Sequence, residues 1–112
     1  GHNVDDALVD LLYQPTQRNG AAEAFRGFIN LFDDHLAPEL MDNLSVPIDL
    51  IWGEKDPWEP IAEAKNWAET IPTVRSLQII TGAGHCPHDE APETVNQQLL
   101  LLVQEHAETD PC

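Results

Sequence analysis

Apolar and β-branched residues concentrate in two short segments of the chain, and we predict a β-strand in each of them. The first segment is Val46–Trp52, which Gly53 ends, and the second is Val74–Ile80, which Gly82 ends. Asp49 interrupts the first apolar run, so we expect its carboxylate to lie near a strand end or to face a polar group. A polar loop follows each predicted strand.

Two amphipathic helices are predicted before the first strand. Asn3 is expected to cap the first helix, and Pro15 is expected to end it. The second helix has an apolar face formed by Ala21, Phe25, Phe28, Ile29 and Phe32. A polar connection over residues 33–45 then holds one predicted helical turn at residues 39–44.

Two further helices are predicted after the strands. One begins at Glu59 and Pro60 and ends before Pro72, because proline is tolerated in a first turn and stops a helix elsewhere. The other begins at Ala91 and Pro92, and its residues predicted to face inward are Val95, Leu99, Leu102 and Val103. We expect these two helices to cover the same face of the sheet.

The order strand, helix, strand, helix is typical of an α/β fold with a parallel sheet. A chain of 112 residues makes one domain at most. Because two strands do not make a stable sheet alone, the chain is expected to be the end of something larger.

The charge of the chain narrows the possible partners. Twenty acidic residues oppose five basic ones, which gives a formal net charge of −15. Such a surface repels nucleic acid and anionic lipid, and we interpret it as a solvated surface that favours solubility. The longest apolar run, Leu99–Val103, is far too short to cross a bilayer, so no transmembrane segment is predicted. The two cysteines, Cys86 and Cys112, do not form a disulfide framework.

Candidate chemistry lies in the two loops that follow the strands. Asp56 follows the first strand and His85 follows the second, and the carboxyl ends of neighbouring parallel strands meet at one edge of the sheet. A histidine is a suitable general base near neutral pH, and a carboxylate on its far ring nitrogen fixes the tautomer. Taken alone, this pattern is also compatible with a histidine that is simply solvent-exposed or hydrogen-bonded.

Other reactive side chains are interpreted as structural. His85, Cys86, His88 and Asp89 lie close in sequence, but no further ligand pair accompanies them, so no metal site is predicted. Cys86 is predicted to be a small packing residue rather than a nucleophile. For Trp58 and Trp67 packing is favoured over a pocket role, and surface positions are predicted for the remaining histidines, His2, His35 and His106.

Two segments, VPIDLIWGEKDPWEP and GAGHCPHDEAPETVNQQLL, together resemble the carboxyl-terminal part of an α/β-hydrolase. They are most similar to the pheophytinase-like and chlorophyll-dephytylase-like serine esterases of plants and cyanobacteria, and LVDLLYQPT and GAAEAFRGFI are similar to the lid region of that group. The resemblance implies a lid-like helical segment over residues 1–45 and part of the hydrolase core over residues 46–112.

By this resemblance, Asp56 is the acid and His85 the base of a catalytic triad that hydrolyses carboxylic esters without a cofactor. The resemblance implies an apolar ester substrate, such as the phytyl ester of a chlorophyll derivative, and a chloroplast or cyanobacterial cytoplasm as the location.

The nucleophile of that fold is missing from this sequence. The family places a serine in a G-x-S-x-G elbow, but the only serines are Ser45 and Ser76, and neither lies in such a motif. We therefore expect the chain to be a fragment that is inactive alone and needs a complementary amino-terminal portion. Two alternatives stay open: a related hydrolase with an aspartate nucleophile, such as a dehalogenase or epoxide hydrolase, and a non-catalytic interaction module.

Overall fold

A computed structural model describes residues 4–30 and 37–109, which divide into two compact units between Leu40 and Met41. The amino-terminal unit is helical, and the carboxyl-terminal unit contains a sheet. The predicted division at residues 45 and 46 and the lid role of the first segment stay predictions.

Three described helices lie wholly within the amino-terminal unit: α1 (Asp6–Tyr13), a 3-10 helix (Gln14–Gln17) and α2 (Ala21–Asn30). The cap of α1 is Asp5, whose carboxylate accepts the N–H of Leu8 at 2.8 Å. The predicted cap, Asn3, lies outside the described residues, as do Phe32, Cys112, His2 and His35. The helix α3 (Ala37–Asp42) lies where only one turn was expected, and it begins earlier in the chain.

The sheet consists of β1 (Ile48–Gly53) and β2 (Val74–Ile80), which pair in parallel as predicted. The helix α4 (Ile61–Thr70) connects them. β2 has its predicted bounds, whereas β1 begins two residues later than predicted, because Pro47 has no N–H to donate to a ladder. The first ladder donor of β1 is Ile48, whose N–H reaches the carbonyl oxygen of Thr73 at 2.8 Å.

Two helices follow β2: the short α5 (Pro87–Glu90), which was not predicted, and α6 (Pro92–Thr109). Ile51 of β1 packs against a buried cluster that contains Val95 of α6. The next residue, Trp52, contacts Trp67 of α4 edge-on, with ring centroids 5.6 Å apart. Because consecutive strand residues point to opposite faces, α4 and α6 cover opposite faces of the sheet.

The expectation that both helices share one face is therefore wrong. The handedness rule on which it rested applies to a helix that connects two parallel strands. The helix α4 is such a connection, but α6 follows the last described strand and leads to no further strand in the described residues. The rule therefore does not fix the face on which α6 packs.

The inward face of α6 is narrower than predicted. Val95 and Leu102 are buried, but Leu99 and Val103, which were also expected to face inward, are 46% and 64% exposed. A sheet of two strands offers a narrow surface, so it buries only Val95 and Leu102, which are seven residues apart on one face of α6. Although α6 is the longest of the described helices, neither it nor any other of them is long and apolar enough to span a membrane.

We expect the isolated chain to expose enough apolar surface to bind a hydrophobic dye, to self-associate, or to unfold at a low temperature. Leu100 and Val103 on α6 are 63% and 64% exposed, and a two-stranded sheet leaves strand edges that pair with nothing else in the described part of the chain. Replacing both residues by glutamine should reduce dye fluorescence, whereas Gln97→Ala at an exposed polar position of the same helix should not.

A dilute wild-type chain that stays monomeric, binds no dye and melts cooperatively at an ordinary mesophilic temperature would contradict this expectation.

Candidate active site

The carboxylate of Asp56 is held by the loop that follows β1, residues 54–60, which we call the acid loop. Its Oδ1 atom accepts the backbone N–H groups of Trp58 at 2.9 Å and Glu59 at 3.0 Å. Aspartate side chains commonly bond in this way to the backbone that follows them, and the bonds here stabilise a tight turn. The Asp56 side chain is only 5% exposed, so the acid is fixed in position by the backbone around it.

The imidazole of His85 lies against this carboxylate. It comes from residues 81–86, which we call the histidine loop, and its Nδ1 atom lies 2.9 Å from Oδ2 and 3.1 Å from Oδ1 of Asp56. An ionised carboxylate only accepts hydrogen bonds, so Nδ1 carries the proton and donates. In the neutral ring the Nε2 atom is then left with its lone pair. The structure thus brings together the two residues predicted from the sequence to form a pair.

Asp56 is ionised in this arrangement. Burial raises the pKa of its carboxyl group, but the hydrogen bonds from the Glu59 N–H, the His85 ring and the Trp58 N–H together outweigh burial and hold the pKa below its ordinary value. The same bonds that orient the carboxylate therefore keep it charged. A charged carboxylate is the form that fixes the tautomer of His85 and stabilises its imidazolium.

The two loops approach closely because β1 and β2 stay paired beyond the end of the ladder. The backbone N–H of Glu54 donates to Ile80 at 3.0 Å, and that of Lys55 donates to Ala83 at 2.8 Å. Gly53 makes this approach possible, since a Cβ atom there would collide with the carbonyl oxygen of Gly84 and lie 2.6 Å from that of Ala83.

The tryptophans and Cys86 differ in part from expectation. Trp67 packs on Trp52, as predicted, but Trp58 is 76% exposed, so its packing interpretation is wrong. Cys86 is exposed as well, because it precedes the first turn of α5 at the surface, and the prediction of a packing residue is wrong. Among the described residues, no three histidine, cysteine, aspartate or glutamate side chains converge as metal ligands.

A second polar cluster lies at the opposite end of the strands. Asp49 accepts from Arg75 at 2.7 Å and lies 3.0 Å from the Nε2 atom of His106, and Ser76 also donates to it. Burial raises the pKa of Asp49, but the bonds from Ser76, Arg75 and His106 outweigh it and lower that pKa overall. Asp49 thus faces polar groups, as expected.

His106 is part of this cluster and not only a surface residue. No local pattern indicates this contact, because Asp49 and His106 are 57 residues apart. Sequence reasoning also missed Glu54 and Glu90, whose carboxylates accept backbone N–H groups of the histidine loop.

Replacing Gly53 by alanine should destabilise the sheet unit by about 1–3 kcal/mol, because the added Cβ meets backbone atoms that cannot rotate away. Urea unfolding followed by tryptophan fluorescence measures this effect, since all three tryptophans lie at positions 52, 58 and 67. Gly27→Ala is the matched control, because a Cβ at Gly27 has no neighbour within 4 Å. Equal stabilities of the two variants would show that the loops do not approach in solution as described.

A pH dependence follows from the lowered pKa of Asp56. A carboxylate whose pKa is lower in the folded chain stabilises the fold fully above the unfolded pKa, about 3.9 for aspartate. That contribution is lost as the pH falls through the folded pKa. We therefore expect the difference in unfolding free energy between the wild type and Asp56→Asn to shrink as the pH falls from about 5 to about 2.

Denaturant unfolding at each pH measures this difference. Glu69→Gln, at an exposed position of α4, is the control and should change the unfolding free energy by less than about 0.5 kcal/mol at every pH. A difference for Asp56→Asn that grows on acidification would contradict the expected sign.

The curated proteins that this chain resembles include a pheophytinase and an uncharacterized hydrolase. No protein-family model matches the chain. Over 101 residues, 85% of the chain, it is 32% identical to "Pheophytinase, chloroplastic" of Arabidopsis thaliana and covers 20% of that protein. It is also 27% identical over 101 residues to "Uncharacterized hydrolase YugF" of Bacillus subtilis (strain 168). That match covers 90% of this chain and 37% of that protein. The chain therefore spans well under half the length of these curated relatives.

A solved structure shows the same arrangement of elements. It is that of MGS-MChE2, an alpha/beta hydrolase enzyme from the metagenome of sediments from the lagoon of Mar Chica, Morocco. The TM-score is 0.75 at 22% sequence identity, and the match covers 91% of this chain and 46% of that one. This likeness confirms the predicted fold class.

Proposed function

We propose that this chain, which has the fold of the carboxyl-terminal part of an α/β-hydrolase, supplies the acid and the base of a serine esterase. The observation that carries the proposal is the contact of 2.9 Å between Nδ1 of His85 and Oδ2 of Asp56. Within the described residues no hydrogen bond to Nε2 of His85 is found, and the side chain is 52% exposed. The base is therefore open to a reacting group on the side away from the acid.

The proposed reaction uses both ring nitrogens of His85. Nε2 takes the proton from a serine hydroxyl as the oxygen attacks the ester carbonyl, and the resulting imidazolium gives that proton to the leaving alcohol. Nε2 then takes a proton from water, whose oxygen attacks the acyl-serine, and returns it to the serine oxygen. Asp56 stays ionised throughout, holds the Nδ1–H and stabilises the imidazolium.

The serine of this reaction must come from outside the chain. Ser76 donates to Asp49 at the amino end of the sheet, whereas His85 follows its carboxyl end. Ser45 is exposed and precedes β1. We therefore propose a complementary portion of the fold that carries the nucleophile and the oxyanion hole.

An ester with a large apolar part is the proposed substrate, with the phytyl ester of a chlorophyll derivative as the specific example. Two observations support it. One relative bears the name pheophytinase. The amino-terminal unit has an open recess of about 560 Å³ whose lining, apart from Thr16, is apolar: Pro15, Ala21, Ala22 and Phe25. In the proposed enzyme this unit is the lid that contacts the apolar part of the substrate.

We expect the isolated chain to show no turnover of nitrophenyl esters above the buffer rate, because it holds a base and its orienting acid but no serine placed for attack. Turnover that survives purification and is abolished by His85→Ala would contradict this and would point to the exposed Cys86 as a nucleophile.

In an enzyme that joins this chain to a portion with the nucleophile, Asp56→Asn and His85→Ala should each lower kcat by roughly 10³-fold or more. His88→Ala is the control, since His88 is also exposed and lies three residues from His85. It should leave kcat within about threefold of the wild type. Full activity of the His85→Ala enzyme would refute the proposed role.

A further inference from the structure

Two carboxylates accept hydrogen bonds from backbone N–H groups of glycines in the histidine loop. The N–H of Gly84 donates to Oε2 of Glu90 at 2.7 Å, and the N–H of Gly82 donates to Oε2 of Glu54 at 2.9 Å. We propose that Glu90 is a positioning residue for His85, and that Glu54 supports it from the acid loop. This inference rests on the proposed function of His85 as a base.

His85 needs such support because its own side chain has few neighbours. The imidazole is 52% exposed, whereas its partner Asp56 is only 5% exposed. The surrounding backbone therefore encloses the acid but not the base. The position of the imidazole ring depends on its hydrogen bond to Asp56 and on the position of the His85 backbone. Gly84 is the residue that directly precedes His85 in that backbone.

The hydrogen bonds of Glu90 connect the two ends of a short segment, residues 84–90, that contains His85. The backbone N–H groups of Asp89 and Glu90 both donate to the carbonyl oxygen of Cys86 at 3.0 Å, which forms the first turn of α5. The side chain of Glu90 then returns to Gly84, six residues earlier. His85 lies inside this closed segment, so a change at Glu90 is transmitted to the histidine backbone.

The residue at position 84 fits the proposed contact. A Cβ atom on Gly84 would lie 3.0 Å from Oε2 and 3.4 Å from Oε1 of Glu90, so the carboxylate lies close against the glycine backbone. A Cβ atom at this position would require the carboxylate to shift by a few tenths of an ångström. The short hydrogen bond from Gly84 to Glu90 therefore depends on the absence of a side chain at position 84.

The two carboxylates do not contribute equally. The bond between Gly84 and Glu90 is partly buried, whereas the bond between Gly82 and Glu54 is exposed. Water readily replaces an exposed acceptor, but it replaces a partly buried one poorly. Loss of Glu90 is therefore expected to affect the loop more than loss of Glu54.

The proposal is tested by NMR on the whole 112-residue chain, labelled with ¹⁵N. Hydrogen exchange of the Gly84 amide reports the contact to Glu90. The ring nitrogen shifts of His85, which distinguish the Nδ1–H from the Nε2–H tautomer, report the position of the base. A purely structural role of Glu90 would change stability without changing the tautomer.

We expect Glu90→Ala to speed exchange of the Gly84 amide by about tenfold or more and to convert His85 from the Nδ1–H form to a tautomer mixture. Glu90→Gln should retain the wild-type tautomer, because its amide oxygen is still an acceptor. Glu93→Ala, at an exposed position in the first turn of α6, is the matched control and should change neither signal.

A folded Glu90→Ala variant with the wild-type tautomer would overturn the proposal. If Glu90→Ala does not fold, Glu90→Asp decides, because its carboxylate is one methylene shorter and lies farther from the Gly84 N–H: faster exchange of the Gly84 amide together with a tautomer mixture supports the proposal, and any folded Glu90→Asp variant with the wild-type tautomer overturns it. Asp56→Asn separates this question from the proposed function. If that variant leaves the ring nitrogen shifts of His85 unchanged, the acid–base pair fails, while the exchange of the Gly84 amide and the response to Glu90→Ala still decide the role of Glu90.

Discussion

The close approach of the acid loop and the histidine loop is the constraint on which the site depends. Two strands bring the loops to one edge of the sheet, but the side chains meet because backbone bonds continue past the strands, from Glu54 to Ile80 and from Lys55 to Ala83. Those bonds require that no side chain stand at Gly53. The distance between the acid and the base is therefore set by the backbone, and packing of the two side chains is secondary.

The acid and the base of this pair have different surroundings, and each suits its proposed role. Asp56 is enclosed and accepts backbone N–H groups, which keep its pKa low and its orientation constant. His85 is half exposed, as a group that must meet a substrate and exchange protons has to be. The chain carries a large negative charge, yet the carboxylates around the site are oriented by specific donors, so the net charge of −15 does not by itself describe the site.

The parts of the fold that depend on local pattern could be predicted from the sequence. The bounds of β2 follow from strand residues that end in glycine, and the geometry of parallel strands brings Asp56 and His85 to one edge of the sheet. Their selection as a pair also needed the resemblance to the α/β-hydrolases. The start of β1 was misplaced because Pro47 removes a ladder donor, which an apolar pattern does not show. The contact between Asp49 and His106 joins residues 57 apart, and no local pattern contains it.

The helix α6 is attached to the sheet at both of its ends. Val95 packs into the buried cluster beside the histidine loop, and His106, three turns later, bonds to Asp49 at the other end of the strands. One inserted residue between these positions would rotate the second contact by about 100° around the helix axis. The number of residues from Val95 to His106 is therefore a fixed length of the fold, and an insertion within this stretch of α6 would break one of its two contacts with the sheet.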